Sequence, residues 1–478
     1  MTVVGLPDTA VQESKERVRS AIRNSGFIFP AKRITVNLAP ASLKKAGPAY
    51  DLPIAIGILL SSDQIITKVD DKIFLGEISL DGELKHITGI LPMVATAMEN
   101  NIQEVYLPID DATEAILITG IKIYPCNSLV QIISHLRGET IIPDYKDDTL
   151  GKYSIDDFTK IDLANIKGQE HAKRALEIAA TGNHNILMSG PPGSGKTMLA
   201  RSLPSILPRM TLSQCIEVTK IYSVSGLLPK KETSFISQRP FRSPHYTISH
   251  AGLVGGGHWP RPGEISLSHN GVLFLDEFPE YNRLSLESLR QPLEDKIVTI
   301  SRAQGSITFP ANFMLVGAMN PCECGYFGDA QKECKCSSSE IVRYQKRISG
   351  PLLDRIDIFI DVPRVDYEKL TDETYGESSQ DIKKRIEIAR IIQEERFKND
   401  HIMVNSEMTP IEVKNFCKLE SSAQNLLKTA MKQIVFTARG FHRILKLART
   451  IADLDQSTII KVNHLAEALQ YRQKILQQ

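Results

Sequence analysis

Apolar and polar positions sort the chain into stretches with different periods. Up to about residue 140, short segments alternate; Ile34-Thr35-Val36-Asn37-Leu38 puts its apolar residues on one face, as a half-buried strand requires. Asp51-Leu52-Pro53 then opens the apolar run Ile54 to Leu60 and predicts a helix, with Asp51 as N-cap and a proline in the first turn. Residues 141–163 are polar and weakly periodic, and predict a linker. From 164 to 365 the apolar residues gather into short continuous runs, such as Ile186-Leu187-Met188, Val272 to Leu275 and Val316 to Met319. Buried strands alternating with helices predict an α/β block, a mostly parallel sheet covered on both faces. From 366 to 478, Ile382, Ile386, Ile388 and Ile392 stand at helical spacing among Lys, Glu and Arg, and predict a helical bundle.

Composition sets limits on this picture. The chain has 478 residues, too many for one ordinary core, and a formal net charge of +1, so a polyanion would have to meet a local basic surface. No apolar run approaches the ~18 residues that span a bilayer. The start, Met-Thr-Val-Val-Gly-Leu-Pro-Asp, does not read as a signal peptide. Seven cysteines, four of them within 322–336, suit a reducing cytoplasm and a metal site rather than a disulfide framework.

The strongest chemical signal is Gly190-Pro191-Pro192-Gly193-Ser194-Gly195-Lys196-Thr197, set between an apolar run and the helix-forming Met198-Leu199-Ala200-Arg201. Strand, glycine-rich loop and helix together make a phosphate cradle, with Lys196 reaching β- and γ-phosphates and Thr197 holding Mg²⁺. Gly271 to Leu275 delivers Asp276 and Glu277 to a strand end, one acid for Mg²⁺ and one to orient or deprotonate water. Asn320 ends the next apolar run, where it can help place that water. Arg355 stands between Asp354 and Asp357 and has two readings: an ion pair with either acid, or a finger reaching a neighbour's γ-phosphate. Arg439 can close on the phosphates from the helical stretch, with Arg443 one turn later as its competitor.

These residues resemble the AAA+ ATPases, and Ile166-Lys167-Gly168-Gln169-Glu170 resembles the segment that cradles adenine there. Arg239-Pro240-Phe241-Arg242-Ser243-Pro244-His245-Tyr246, Gly255-Gly256-Gly257, Arg261 to Ser266 and Ser349 to Asp357 are similar to motifs of the bacterial magnesium-chelatase-like AAA+ family, of the ComM and YifB type. The resemblance covers nearly the whole chain. It implies a P-loop AAA+ core at 164–365, a helical lid or C-terminal magnesium-chelatase-like domain at 366–478, and ATP with Mg²⁺. It further implies sensor 1 at Asn320, the finger at Arg355, sensor 2 at Arg439, and a homo-oligomeric ring of six subunits.

Residues 1–140 resemble the α+β proteolytic domain of Lon (ribosomal S5 domain 2-like), through Leu75 to Leu84 and Gly47-Pro48-Ala49. Ala49 stands where Lon has its serine and Leu91 where it has its lysine, so the resemblance implies no peptidase activity. Relatives usually carry a few dozen residues before Val3-Val4-Gly5, which implies an N-terminally shortened domain.

Cys322-x-Cys324 and Cys334-x-Cys336 offer four thiolates for a structural Zn²⁺, against a reading as ordinary loop thiols. Residues 245–263, with Trp259, and the turn around Lys296 and Arg302 are candidate pore loops; basic and aromatic residues there suit single-stranded or branched DNA. The leading expectation is an ATP-driven motor on DNA, performing ComM-like branch migration or helicase work. The alternatives are a remodelling or chelatase-like ATPase acting on a protein partner, and a nucleotide-dependent scaffold.

Overall fold

The computed structural model describes residues 1–40, 45, 47–146, 161–228, 235–257, 260–302, 305–365, 376–433 and 437–472. Most of the predicted linker, residues 147–160, and Trp259 lie outside the described residues. The chain divides into two compact units: Met1–Ile155 with Thr211–Ser237 and Ser301–Ser306, and the remainder.

In the first unit, β1 (Thr2–Val4) pairs in parallel with β2 (Thr35–Asn37). A second parallel sheet runs β3 (Lys72–Phe74), β6 (Glu104–Pro108), β7 (Lys122–Cys126), and β4 (Glu77–Ile78) pairs antiparallel with β5 (Leu84–Lys85). The helix Thr9–Asn24 starts where the Asp8 carboxylate accepts the Val11 N–H at 2.8 Å, so its first turn is capped from the sequence itself. The helix Asp51–Ser61 differs from its expectation. A 3-10 turn, Pro48–Tyr50, leads straight into it, and Asp51 is already helical rather than capping. Its buried carboxylate instead takes Arg17 Nε at 2.7 Å. Burial pushes the Asp51 pKa up, and the Arg17 hydrogen bond pulls against that shift. Ala49 packs against the apolar cluster that contains the fully buried Leu91.

The stretch 211–237 belongs to this unit, although in sequence it follows the P-loop helix. Its helix Leu212–Ser225 opens on a capping box of Thr211 and Gln214. Ile216 and Phe235 pack against the cluster around Leu75, Ile90 and Val105, and Ser223 Oγ donates to the buried Glu114 carboxylate at 2.5 Å.

The second unit is built on a five-stranded parallel sheet, ordered β16 (Ile358–Asp361), β8 (Ile186–Ser189), β15 (Met314–Met319), β12 (Val272–Leu275), β9 (Phe241–Arg242). Every residue of β12 and β15 is buried, which is why their sequence is continuously apolar rather than alternating. One face packs into a core shared with the helices Ser379–Arg396, Ala438–Leu454 and Val462–Gln470, through Ile382, Ile386, Ala448 and Leu465. The other face packs on Leu253, Ile265, Phe278 and Leu352. Two antiparallel pairs follow: β10 (Gly255–Gly256) with β11 (Arg261–Pro262), and β13 (Ile297–Arg302) with β14 (Gly305–Pro310), of which Ser301–Ser306 belongs to the first unit. Among the described residues, no helix is long and apolar enough to cross a membrane.

Candidate active site

Parallel strands carry whatever follows them to one common edge. Ser189 of β8 is in register with Met319 of β15 and Asp361 of β16, and Leu275 of β12 with Gly317 of β15. Gly190–Thr197, Asp276, Glu277 and Asn320 therefore leave the sheet at the same end. The loop needs its glycines: a Cβ on Gly190 would sit 2.1 Å from the Val362 carbonyl oxygen, and Gly195 has a φ of +91°. Lys196 opens the helix Lys196–Ser202 and donates from Nζ to the Gly190 and Pro191 carbonyls at 2.7 and 2.9 Å, with Asn320 Oδ1 at 3.4 Å. Burial lowers its pKa to about 8.

Thr197 Oγ1 donates to Asp276 Oδ2 at 2.8 Å, so the two expected Mg²⁺ residues already meet. A hydroxyl and a carboxylate beside a phosphate-binding loop fit a hard cation that keeps most of its waters. Glu277 is exposed, with its backbone in the left-handed region at φ +51°, and its N–H donates to Asp276 Oδ1 at 3.0 Å. Gly168 and Gln169 also have positive φ, and Gln169 Nε2 donates to the carbonyls of Pro363 and, at 3.4 Å, of Ser194 in the P-loop.

The arginines occupy the other end of the same sheet. Asn185 immediately precedes β8; its Nδ2 donates to the Arg355 carbonyl at 2.8 Å and its Oδ1 accepts the Leu315 N–H at 2.8 Å. Arg355 therefore sits where strands begin, and the P-loop where they end, about 16 Å away at strand rise. Arg355 pairs with neither Asp354 nor Asp357. Its Nη1 donates to the Pro351 carbonyl at 2.6 Å, and its Nη2 pairs with Glu294. Arg439 reaches the same carboxylate, Nη2 to Oε1 at 3.3 Å. Arg443 donates to the Ile356 and Leu353 carbonyls, at 2.5 and 3.4 Å, and so ties the helix Ala438–Leu454 to the arginine turn. Glu294 and Asn185 were not legible as site residues, because Glu294-Asp295 at the end of a short helix reads as a solvated acidic turn and an Asn before a strand carries no pattern.

The four cysteines converge. Sγ–Sγ separations are 3.4 Å (Cys322–Cys324), 3.7 Å (Cys322–Cys334) and 3.6 Å (Cys324–Cys334), and all four sulfurs lie within 4.8 Å of one another. Zn–S bonds of about 2.3 Å in a tetrahedron require edges near 3.8 Å, so the donor set fits. The Tyr326 and Lys335 N–H groups help lower the Cys324 thiol to about 6. The loop lies directly on the nucleotide end: a Cβ at Gly325 would fall 2.7 Å from the Pro192 ring.

Of the candidate pore residues, Arg302 is exposed on β13, near the hairpin's tip. Lys296 is not in that turn. It follows the helix Arg290–Asp295 at φ +60°, and its backbone closes on Pro292 and Ala311 at the hairpin's base. Burial lowers its pKa.

Comparison with known proteins agrees with this architecture. Three family models match: "Subunit ChlI of Mg-chelatase" over residues 1–111, "Magnesium chelatase, subunit ChlI" over 162–370, and "Magnesium chelatase, subunit ChlI C-terminal" over 376–472. The chain is 44% identical to competence protein ComM of Haemophilus influenzae over 478 residues, covering 98% of this chain and 91% of that protein. It is 41% identical to the uncharacterized protein YifB of Escherichia coli, over 99% of this chain and 91% of that one. A shorter match, 28% identical over 174 residues and 32% of each chain, is to Lon protease 2 of Bacillus subtilis. With a P-loop on a parallel sheet, a Lon-like relationship and near-full-length relatives, the chain belongs to the magnesium-chelatase-like family of AAA+ ATPases, of the ComM and YifB type.

Proposed function

We propose that this protein is a ring-forming ATPase that uses hydrolysis to move DNA, as a branch-migration or helicase motor. The observation that carries the ring is the separation of the two half-sites. Lys196, Thr197, Asp276, Glu277 and Asn320 share one end of the sheet, and Arg355 with Arg439 the other, so one chain cannot close its arginines on its own nucleotide. In this reading a neighbour's arginine end completes the site.

In this reading Gly168 and Gln169 flank adenine, and the 190–195 loop with Lys196 binds the phosphates. Thr197 and Asp276 hold Mg²⁺, which supplies charge neutralisation on them. Glu277 orients water and takes its proton, while Asn320, in contact with Lys196, places that water against the γ-phosphate. The neighbour's Arg355 and Arg439 meet charge developing on the γ-phosphoryl oxygens.

DNA as the substrate is supported by the relative named as a competence protein and by the β13–β14 hairpin. Arg302 and the hydroxyl pairs Thr299–Thr308 (3.1 Å) and Ser301–Ser306 (3.0 Å) suit a phosphate backbone. ATP turnover measured with and without single-stranded and forked DNA tests this. Strong stimulation that weakens with salt is expected; no stimulation and no salt-dependent binding would remove DNA. The matching chelatase-subunit models favour the second reading, remodelling of a protein partner, in that event.

Ala49 and Leu91 supply neither nucleophile nor base, so we infer no peptidase activity in the first unit. The four cysteines hold a structural Zn²⁺ that braces the loop against Pro192; metal analysis of protein purified without added zinc should find about one per chain, as four-thiolate structural sites require.

A further inference from the structure

At the strand-start end of the sheet Glu294 takes two arginines from different parts of the chain, Arg355 and Arg439. Arg355 follows the helix Gly350–Leu353, and Arg439 opens the helix Ala438–Leu454. Each Glu294 oxygen takes one guanidinium: Oε2 takes Arg355 Nη2, and Oε1 takes Arg439 Nη2 at 3.3 Å. Two guanidiniums held on one carboxylate repel each other, and the carboxylate offsets that repulsion by attracting both. It also sets the angle between the two forks. It is half exposed, as a bridge at a docking face must be, while the Arg355 side chain is largely buried.

The pairing is not packing glue. Glu294 lies in the six-residue helix Arg290–Asp295, whose buried residues are Pro292 and Leu293, so its side chain adds nothing to the core. Arg355 is held independently through Nη1 on the Pro351 carbonyl and through its own carbonyl on Asn185. Arg439 is more exposed, and its guanidinium contact is with Glu294.

We infer that Glu294 is a positioning residue for hydrolysis in the neighbouring protomer: it sets Arg355 and Arg439 side by side for the neighbour's γ-phosphate. This rests on the reading that those arginines act across the interface. The carboxylate touches no substrate. It converts two separately mounted guanidiniums into one preorganised pair, and misplacement of such groups by about 1 Å costs roughly 100-fold in rate.

The test compares ATP turnover and binding of a fluorescent ATP analogue for wild type, Glu294→Gln, Arg355→Ala, Arg439→Ala and the Glu294→Gln/Arg439→Ala double variant. Glu294→Gln is expected to lower kcat roughly 10- to 100-fold, with KM and analogue affinity within about twofold of wild type. In the Arg439→Ala background the same change should cost far less, since the pair no longer exists. Mixing Glu294→Gln with Lys196→Ala protein should restore turnover, because junctions form in which an intact arginine face meets an intact P-loop; a folding defect would give no such rescue. A Glu294→Gln protein with normal or raised kcat overturns the inference, and raised kcat would mean that the carboxylate competes with phosphate. If Arg355→Ala and Arg439→Ala both hydrolyse normally, the trans-arginine reading itself fails, whatever Glu294→Gln does.

Discussion

The two ends of one parallel sheet carry opposite kinds of chemistry. Where β8, β12 and β15 finish, a lysine is held by neutral carbonyls, and a hydroxyl and acids gather round an anion-binding loop. Where β8 and β16 begin, two guanidiniums share a single glutamate and keep a net positive charge. The first end asks for a triphosphate; the second offers the charge that a triphosphate needs in its transition state. In the proposed mechanism each end is half of a catalytic site, and the length of the strands separates the two within one chain.

The largest break in this comparison comes at the first end. Lys196→Ala should abolish nucleotide binding, read by calorimetry or analogue fluorescence, whereas Glu277→Gln should bind ATP and stall with it uncleaved. At the second end, Arg355→Ala should leave binding nearly intact and reduce turnover by a factor on the order of 10³–10⁵. Loss of binding in that variant would place Arg355 at its own nucleotide and collapse the two-ended picture.

A smaller effect follows from pH. Lys196 has its pKa depressed to about 8 by burial, so it is protonated below that value and increasingly neutral above it. Phosphate binding favours the charged form. Affinity should therefore hold steady from pH 6.5 to 7.5 and decline toward about tenfold per unit above 8. A flat affinity up to pH 9.5, measured by titration calorimetry, would mean that the lysine stays charged throughout.

Metal removal sharpens the first end further. On the proposed Zn²⁺ site, stripping the metal with a chelator and then restoring Mg²⁺ should weaken ATP binding without abolishing it, because the loop beside Pro192 loses its brace. Cys334→Ser should behave alike, and its metal content is the check. The smallest effect on nucleotide chemistry is expected from Asn185→Ala. Its buried hydrogen bonds to Arg355 and Leu315 cost roughly 1–3 kcal/mol when left unmade, visible as a lowered denaturation midpoint with unchanged ATP affinity.

The P-loop end was legible because its residues are local. One glycine-rich octet and two strand-ending motifs name themselves, and buried parallel strands write their continuous apolar runs into the sequence. The arginine end was legible only as candidates. Arg355 had two acids beside it in sequence, yet its partner is Glu294, 61 positions away, and no periodicity links them. Asp51 misled for a related reason. An Asp before an apolar run is a capping signal, but the preceding Pro48–Tyr50 turn left it inside the helix, and Arg17 was the stronger partner for a buried charge. The helix Leu212–Ser225 was invisible as a member of the first unit, since sequence order says nothing of which core an amphipathic segment joins.

That helix has a practical outcome. A gene cut near residue 160 would look, on paper, like a clean separation of halves. The front piece would then lack Ile216, Phe235 and the serine that satisfies Glu114, and the rear piece would carry a greasy surface with nothing to cover it. Removing or exchanging the first unit would therefore mean rewriting residues 211–237 as well, a segment that sits in the middle of the ATPase sequence.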